Sequence, residues 1–445
     1  MIHTYKMNGY NIVLDVNSGS IHVTDDITYE ILNAFDTMPT KEQVLSLFKG
    51  RNTEDRLTDV WQEIKELYDE GVLYSEDPQI ALDPELSLYK GLKAICLHVA
   101  HDCNLRCEYC FASKGDYKTG RSLMSKEIAL KALDYLVEHS GRRKNIEVDF
   151  FGGEPLMNFD VVKAAVEYGK SLEEKFGKKF FFTMTTNAVH VTEEQAEFLN
   201  EHMGNIVISL DGRKSVNDRM RKNAAGKGTY EQIVKNAKKI TDNRKGKPYF
   251  IRGTFTSLNK DFSEDVRHIR SLGFREISIE PVTGKGESFH IKEEDLDDIL
   301  REYEKFAIEY AKDDTDYRFY HFNIDIYDGP CLSKRITACG SGTEYVAVAP
   351  DGKIYPCHQF VGQEEFAIGD LETGITDRQM QLKFASAHVF GKEDCKGCWA
   401  KYFCSGGCHA NAYYTNGDIF KPDKIACTLQ KKRIECAIMI QVARS

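Results

Sequence analysis

The chain has 445 residues, a net charge of −10 and 13 cysteines. At roughly 150 residues per domain the length predicts about three domains, each able to bury a core. A 42% hydrophobic and 11% aromatic composition excludes a disordered polymer or a fibre, and the negative charge argues against a surface tracking nucleic-acid phosphates.

Residues 1–15 lack the apolar stretch of a signal peptide, and no run of 18 apolar residues predicts a membrane span. The expectation is a cytoplasmic, reducing compartment, in which so many thiols are metal ligands rather than disulfides.

Residues 1–80 read as a small α+β unit. Tyr10–Val16 and Ser20–Val23 alternate as two short strands around an Asn17-Ser-Gly19 turn. Thr24 is placed to cap a helix through Phe35, and Thr40 with Gln43 forms a capping box for the next. A third helix, Glu54 to Glu70, carries Leu57, Val60, Trp61, Ile64 and Leu67 on one face. Ser75–Glu85, with two prolines and four acids, reads as a linker.

From residue 90 to about 312 short β-rich runs alternate with amphipathic helices. The predicted strands are Ala94–Val99, Ile146–Phe151, Phe180–Thr185, Ile206–Leu210, Phe250–Thr256 and Glu276–Glu280. Helices are predicted over Lys126–Glu138, Asp160–Lys175, Tyr230–Thr241 and Glu293–Lys312. This alternation predicts an α/β fold, a parallel sheet closed fully or partly into a barrel, with its chemistry at the C-terminal strand ends. Polar or glycine-rich residues follow several strands: Gly152-Gly153-Glu154-Pro155, Thr186-Asn187 and Asp211-Gly212. From residue 325 the chain is cysteine-rich, with a hairpin over Tyr345–Tyr355 turning at Pro350-Asp-Gly352.

The cysteines fall in two blocks. Cys96, Cys103, Cys107 and Cys110 form the first, and nine more lie between Cys331 and Cys436. Cys96 sits inside a strand and reads as a core residue. The other three form Cys-x3-Cys-x2-Cys just after that strand. Zinc with a distant fourth ligand is one reading. The other is an iron–sulfur cube held at three irons, leaving the fourth free to chelate an amine and a carboxylate.

The triplet, with Tyr109 before its last cysteine, resembles the signature of radical S-adenosylmethionine (SAM) enzymes. That resemblance implies a partial (β/α)6 barrel, a 4Fe–4S cluster and SAM. It also implies that Gly152, Gly153 and Glu154 meet the SAM amino group, and that some of Thr185, Thr186, Asn187, Ser209 and Asp211 hold the ribose and the methionyl carboxylate. Arg221, in Asn217-Asp-Arg-Met-Arg221, matches an arginine that pairs with the carboxylate; a solvated basic loop is the alternative. Glu280-Pro281 ends the sixth strand, where the family often presents a polar residue. No side chain is assigned as catalytic.

The second block runs Cys339-x12-Gly352-x4-Cys357, Cys395-x2-Cys398-x5-Cys404-x3-Cys408, then Cys427. It resembles the SPASM pattern, although zinc ribbons also use Cys-x2-Cys pairs. The resemblance implies two auxiliary 4Fe–4S clusters, one on Cys395, Cys398, Cys404 and Cys427, the other on Cys339, Cys357 and Cys408. Cys331 is the nearest candidate to complete the second, the alternative being an iron open to a substrate thiolate.

Residues 1–80 resemble the winged-helix recognition element that binds leader peptides of ribosomally synthesised, modified peptides; a generic capping domain is the alternative. The whole order resembles SCIFF-peptide maturases, and so implies thioether crosslinking of a cysteine-rich precursor and a low-potential electron donor. An anaerobic sulfatase maturase is the runner-up. A non-catalytic iron–sulfur electron carrier is the reading from another class, and a carrier has no use for an open iron beside Gly152-Gly-Glu-Pro155.

Overall fold

The computed structural model describes residues 1–78, 80, 82–313, 317–324 and 332–445. The chain opens with an antiparallel meander of β1 (Ile2–Met7), β2 (Tyr10–Asp15) and β3 (Ile21–Thr24). The sequence reading lacks β1. Its hairpin turns on Asn8 and Gly9, both at positive φ, which is the Asn-Gly signature of a two-residue hairpin.

Three helices follow, Asp26–Ala34, Lys41–Leu47 and Glu54–Asp69. The first is capped by Asp25, because Thr24 is committed to β3. The Thr40–Gln43 capping box is formed. Val13 faces these helices in a cluster with Ile31, Val44, Val60 and Ile64. The other face, with Tyr5, Met7, Ile12 and Leu14, packs into the main core. A sheet buried on both faces reads as an unbroken apolar run, as Ile12-Val-Leu14 does.

The central sheet contains six parallel strands in order: β4 (Ala94–His101), β6 (Asn145–Gly152), β7 (Lys179–Thr186), β8 (Asn205–Ser209), β9 (Tyr249–Phe255) and β10 (Glu276–Pro281). A short β5 (Ser122–Leu123) pairs with β4, and β11 (Arg318–Phe319) continues the sheet beyond β10. All six predicted strands are present to within two residues at either end. Alternation sends Ile95, Leu97 and Val99 to the helix-side core, where each contributes about 2 kcal/mol by burial. It turns Cys96 to the opposite face, into a cluster with Phe360 and Phe366.

The cysteine-rich part is not a detached body. Its hairpin, β12 (Tyr345–Val348) and β13 (Lys353–Tyr355), extends the same sheet, with β12 parallel to β4. The final helix, Lys424–Arg444, shares the main core with the helix Leu296–Lys312 through Leu429, Ile434, Ile299 and Phe306. The N-terminal sheet locks onto this helix: His3 pairs with Glu435 at 3.1 Å and the Tyr5 hydroxyl donates to the Glu435 carbonyl. The His3 ring stacks on Trp399 at 3.7 Å. Among the described residues no helix is long and apolar enough to cross a membrane.

Candidate active site and cysteine clusters

The Cys103 loop leaves the C-terminal end of β4 and is held from two sides. On one side the Gly153 and Glu154 amides donate to the carbonyls of Ala100 and Asp102. The approach is so close that a Cβ on Gly153 would lie 2.2 Å from the Asp102 carbonyl oxygen, so this glycine is needed to seat the cysteine loop. On the other side Arg106 and Glu108 donate their amides to Lys222 and Met220. That second seam carries Arg221 to the loop.

Arg221 is 6% exposed and donates to the Tyr109 hydroxyl at 2.9 Å. Tyr109 in turn donates to the Asp211 carboxylate at 2.8 Å. Asp211 is fully buried and also accepts from the Thr254 amide; burial pushes its carboxyl up to about 6, with Arg221 opposing. Asp211 therefore grips the cysteine loop through Tyr109. The Nε of Arg221 has no acceptor among the described residues, leaving a buried cation with an unspent donor for an anionic ligand group.

Glu154 is 3% exposed and accepts from the Leu156 amide, the Thr186 hydroxyl and the Asn187 amide. A carboxylate has about four acceptor positions, so one is left for a ligand amine. Asn187 donates from Nδ2 to Asn104 at 2.7 Å and towards the Cys103 sulfur at 3.6 Å. Ser209 is half-buried at the end of β8. Gly152, Gly153, Glu154, Thr186, Asn187, Tyr109, Asp211 and Arg221 thus lie in one shell of contacts around the Cys103 loop.

The thiols gather into three groups by mutual proximity, each lying in the field of the others. Cys103, Cys107 and Cys110 form one. Cys357, Cys339 and Cys408 form the second. Cys395, Cys398, Cys404 and Cys427 form the third. Cys96 and Cys436 are buried, at 1% and 0% exposure. Cys331 lies outside the described residues.

Burial pushes the Cys103 thiol up to about 12 and those of Cys107 and Cys395 up to about 11. Burial thus disfavours the bare thiolates, and a bound metal would release these protons. The sites fit that role, because the Leu105 and Gln359 amides point at the Cys103 and Cys357 sulfurs at 3.3 Å. Among the described residues no three metal-ligating side chains close on the position of a single ion; the thiols stand in looser groups.

One charged cluster extends well beyond Glu280, the only member that the sequence reading singled out. At the end of β10, Glu280 accepts from Ser278 at 2.9 Å and pairs with His321 at 3.0 Å and Arg433 at 3.6 Å. Tyr303 bridges His321 and Arg433. Burial and the adjacent Arg433 pull the His321 imidazole down to about 4, with Glu280 opposing them. Burial alone would raise the Glu280 carboxyl; the hydrogen bond from His321 and the nearby Arg433 and Arg252 hold it well below the carboxylate range instead. A glutamate closing a strand was the only sequence signal for this site, since His321 and Arg433 come from remote segments.

The fold thus presents a three-cysteine loop at the C-terminal end of β4 in a parallel α/β sheet. Residues 97–259 match the family model described as the Radical SAM superfamily. The match runs from β4 to just past β9 and takes in the three-cysteine loop; the family it is similar to implies SAM and a 4Fe–4S cluster.

Among curated proteins it is similar to the radical SAM cyclopropyl synthase TigE of Paramaledivibacter caminithermalis, 23% identical over 95% of this chain and 91% of that protein. It is also similar to the cysteine-type anaerobic sulfatase-maturating enzyme of Clostridium novyi, 26% identical over 72% of this chain and 89% of that protein. Native anSMEcpe with bound AdoMet superposes with a TM-score of 0.65 at 19% identity, covering 79% of this chain and 98% of that one. Streptococcus suis SuiB bound to precursor peptide SuiA superposes at 0.51 and 16%, covering 95% and 98%. These two structural likenesses show a shared fold.

Proposed function

We propose that the protein is a peptide maturase that joins cysteine sulfur to carbon in a cysteine-rich, ribosomally made precursor. The N-terminal meander carries this reading. Both its faces are buried, so what it offers a partner is the β3 edge, where Val23 is 53% exposed. An extended leader peptide can add there as a further strand. Beside it lies a cleft of about 660 Å³ lined by Asp25, Asp26, Glu30, Arg51 and Arg56, suited to charged side chains of such a segment. SuiB, whose structure holds a precursor peptide, superposes over 95% of the chain, against 79% for anSMEcpe, which favours a precursor peptide over a sulfatase.

In this reading Cys103, Cys107 and Cys110 hold the SAM cluster, and Glu154, Asn187 and Arg221 hold the methionyl end of SAM, with Gly152, Thr186, Ser209, Asp211 and Tyr109 around them. Cys395, Cys398, Cys404 and Cys427 hold one auxiliary cluster. Cys339, Cys357 and Cys408 hold the other, with Cys331 as its fourth ligand. When bound, these groups supply a 5′-deoxyadenosyl radical that takes a hydrogen atom, and an acceptor for the electron released as a C–S bond replaces C–H and S–H. The buried Tyr109–Asp211–Arg221 chain keeps the loop rigid and its side of the site dry. Residues 1–80, 90–312 and 325–445 then serve as recognition, radical and electron-handling segments.

The test is mass spectrometry of the cysteine-rich precursor after reaction. Thioethers remove two hydrogens per bridge and one alkylatable thiol each. The match to a cyclopropyl synthase favours a second reading, carbon–carbon closure, which removes the same two hydrogens but leaves every thiol free to alkylate. An unchanged precursor together with an oxidised sulfatase peptide rejects both.

A further inference from the structure

Lys392 is 1% exposed, a depth at which an ammonium group needs a compensating charge. Among the described residues no Asp or Glu forms an ion pair with it. Its Nζ donates instead to the Gly406 carbonyl at 2.7 Å, and its own carbonyl accepts from the Cys395 amide at 3.0 Å. Gly406 lies in Cys404-Ser-Gly-Gly-Cys408, the loop that takes the chain from one thiol group to the other. Cys404 belongs with Cys395, Cys398 and Cys427, and Cys408 with Cys339 and Cys357. The ammonium is thus fastened between the two groups, and the thiols whose charge would support it, Cys395, Cys404, Cys408 and Cys427, come from both. The missing negative charge is theirs once they are thiolates.

We infer that Lys392 is the built-in cation shared by the two auxiliary clusters, a positioning residue that ties the Cys404–Cys408 loop and sets the reduction potential of both. This rests on the reading that these cysteines hold clusters. A fixed positive charge beside a cluster stabilises its reduced, more negative state and so raises its potential, as charge and hydrogen bonding around the sulfurs do generally. The chain spends a buried cation here, where a neutral hydrogen-bond donor would have served the loop alone.

The test is an anaerobic redox titration followed by electron paramagnetic resonance. It uses the full-length reconstituted protein with Cys103, Cys107 and Cys110 replaced by Ala, so that only auxiliary signals remain. Lys392→Gln keeps a donor for Gly406 and removes the charge, Lys392→Met removes both, and Lys392→Arg keeps both. In the two neutral variants the reduced-to-oxidised ratio at a fixed potential should fall about tenfold, about 59 mV for a one-electron couple; in Lys392→Arg it should stay near wild type. Loss of auxiliary iron in Lys392→Gln but not in Lys392→Arg supports the same role, since only the charge differs. Unchanged potentials in Lys392→Gln, or iron loss in all three variants, overturns it and leaves a loop anchor. Absence of auxiliary iron without any change at Lys392 would instead sink the cluster reading itself.

Discussion

The hydroxyl of Tyr109 lies between a carboxylate and a guanidinium, donating to Asp211 and accepting from Arg221. Removing it with Tyr109→Phe leaves a fully buried carboxylate short of a donor, so unfolding of the metal-free protein should become easier by about 1–3 kcal/mol. A denaturant midpoint equal to wild type would show that the bond carries no weight. Arg221→Ala strands the same carboxylate without its cation and should cost more, about 3–5 kcal/mol, and abolish 5′-deoxyadenosine formation. Gly153→Ala acts through space alone. Its Cβ would collide with the Asp102 carbonyl, so if the proposed clusters are present the protein should lose the iron of the Cys103 loop while keeping that of the two later groups. Equal iron in variant and wild type would refute that account.

Elements whose burial follows their period were legible. The six parallel strands show as short apolar runs because one face lies under helices, and Ile95, Leu97 and Val99 mark that face in β4. β1 was overlooked because His3, Thr4 and Lys6 break its apolar pattern, although Asn8-Gly9 advertised the hairpin. The pairing of β12 with β4 could not be read, since strands of this length carry no label for a distant partner. Lys392 was invisible for a related reason: a lysine near a glutamate and an aspartate looks solvated, and only the folded Cys404–Cys408 loop buries it. The edge strand β3 supplies the test at this scale. Val23→Asp should weaken binding of a labelled leader peptide at least tenfold, with SAM cleavage in the absence of peptide unchanged. Undiminished leader binding would move the recognition site elsewhere.

Across the whole molecule the buried histidines give the fold a direction of pH sensitivity. Burial holds His101, His321, His358 and His409 at about 4, and pulls His98 well below its ordinary value. An unfolded chain takes up these protons near pH 6.5, the folded one only near 4. Stability is therefore complete above about 6.5 and lost as pH falls, by about 3 kcal/mol for each group held at about 4. Asp149 and Asp211, pushed up to about 6 by burial, pull the opposite way but are outnumbered. The denaturant midpoint of the metal-free protein should fall between pH 6.5 and 5.5, and a flat profile would refute this. The parallel ladder of β4 with β12 has a temporal consequence. Ala94 leaves the ribosome roughly 250 residues before its partner Tyr345, a delay of about 12–50 s at cellular synthesis rates. Throughout that interval one side of β4 is a bare strand edge, open to pairing with a neighbouring nascent chain. Slow, crowded translation should thus favour aggregates seeded at residues 94–97, and a holdase chaperone engaging that stretch would raise the yield of folded protein.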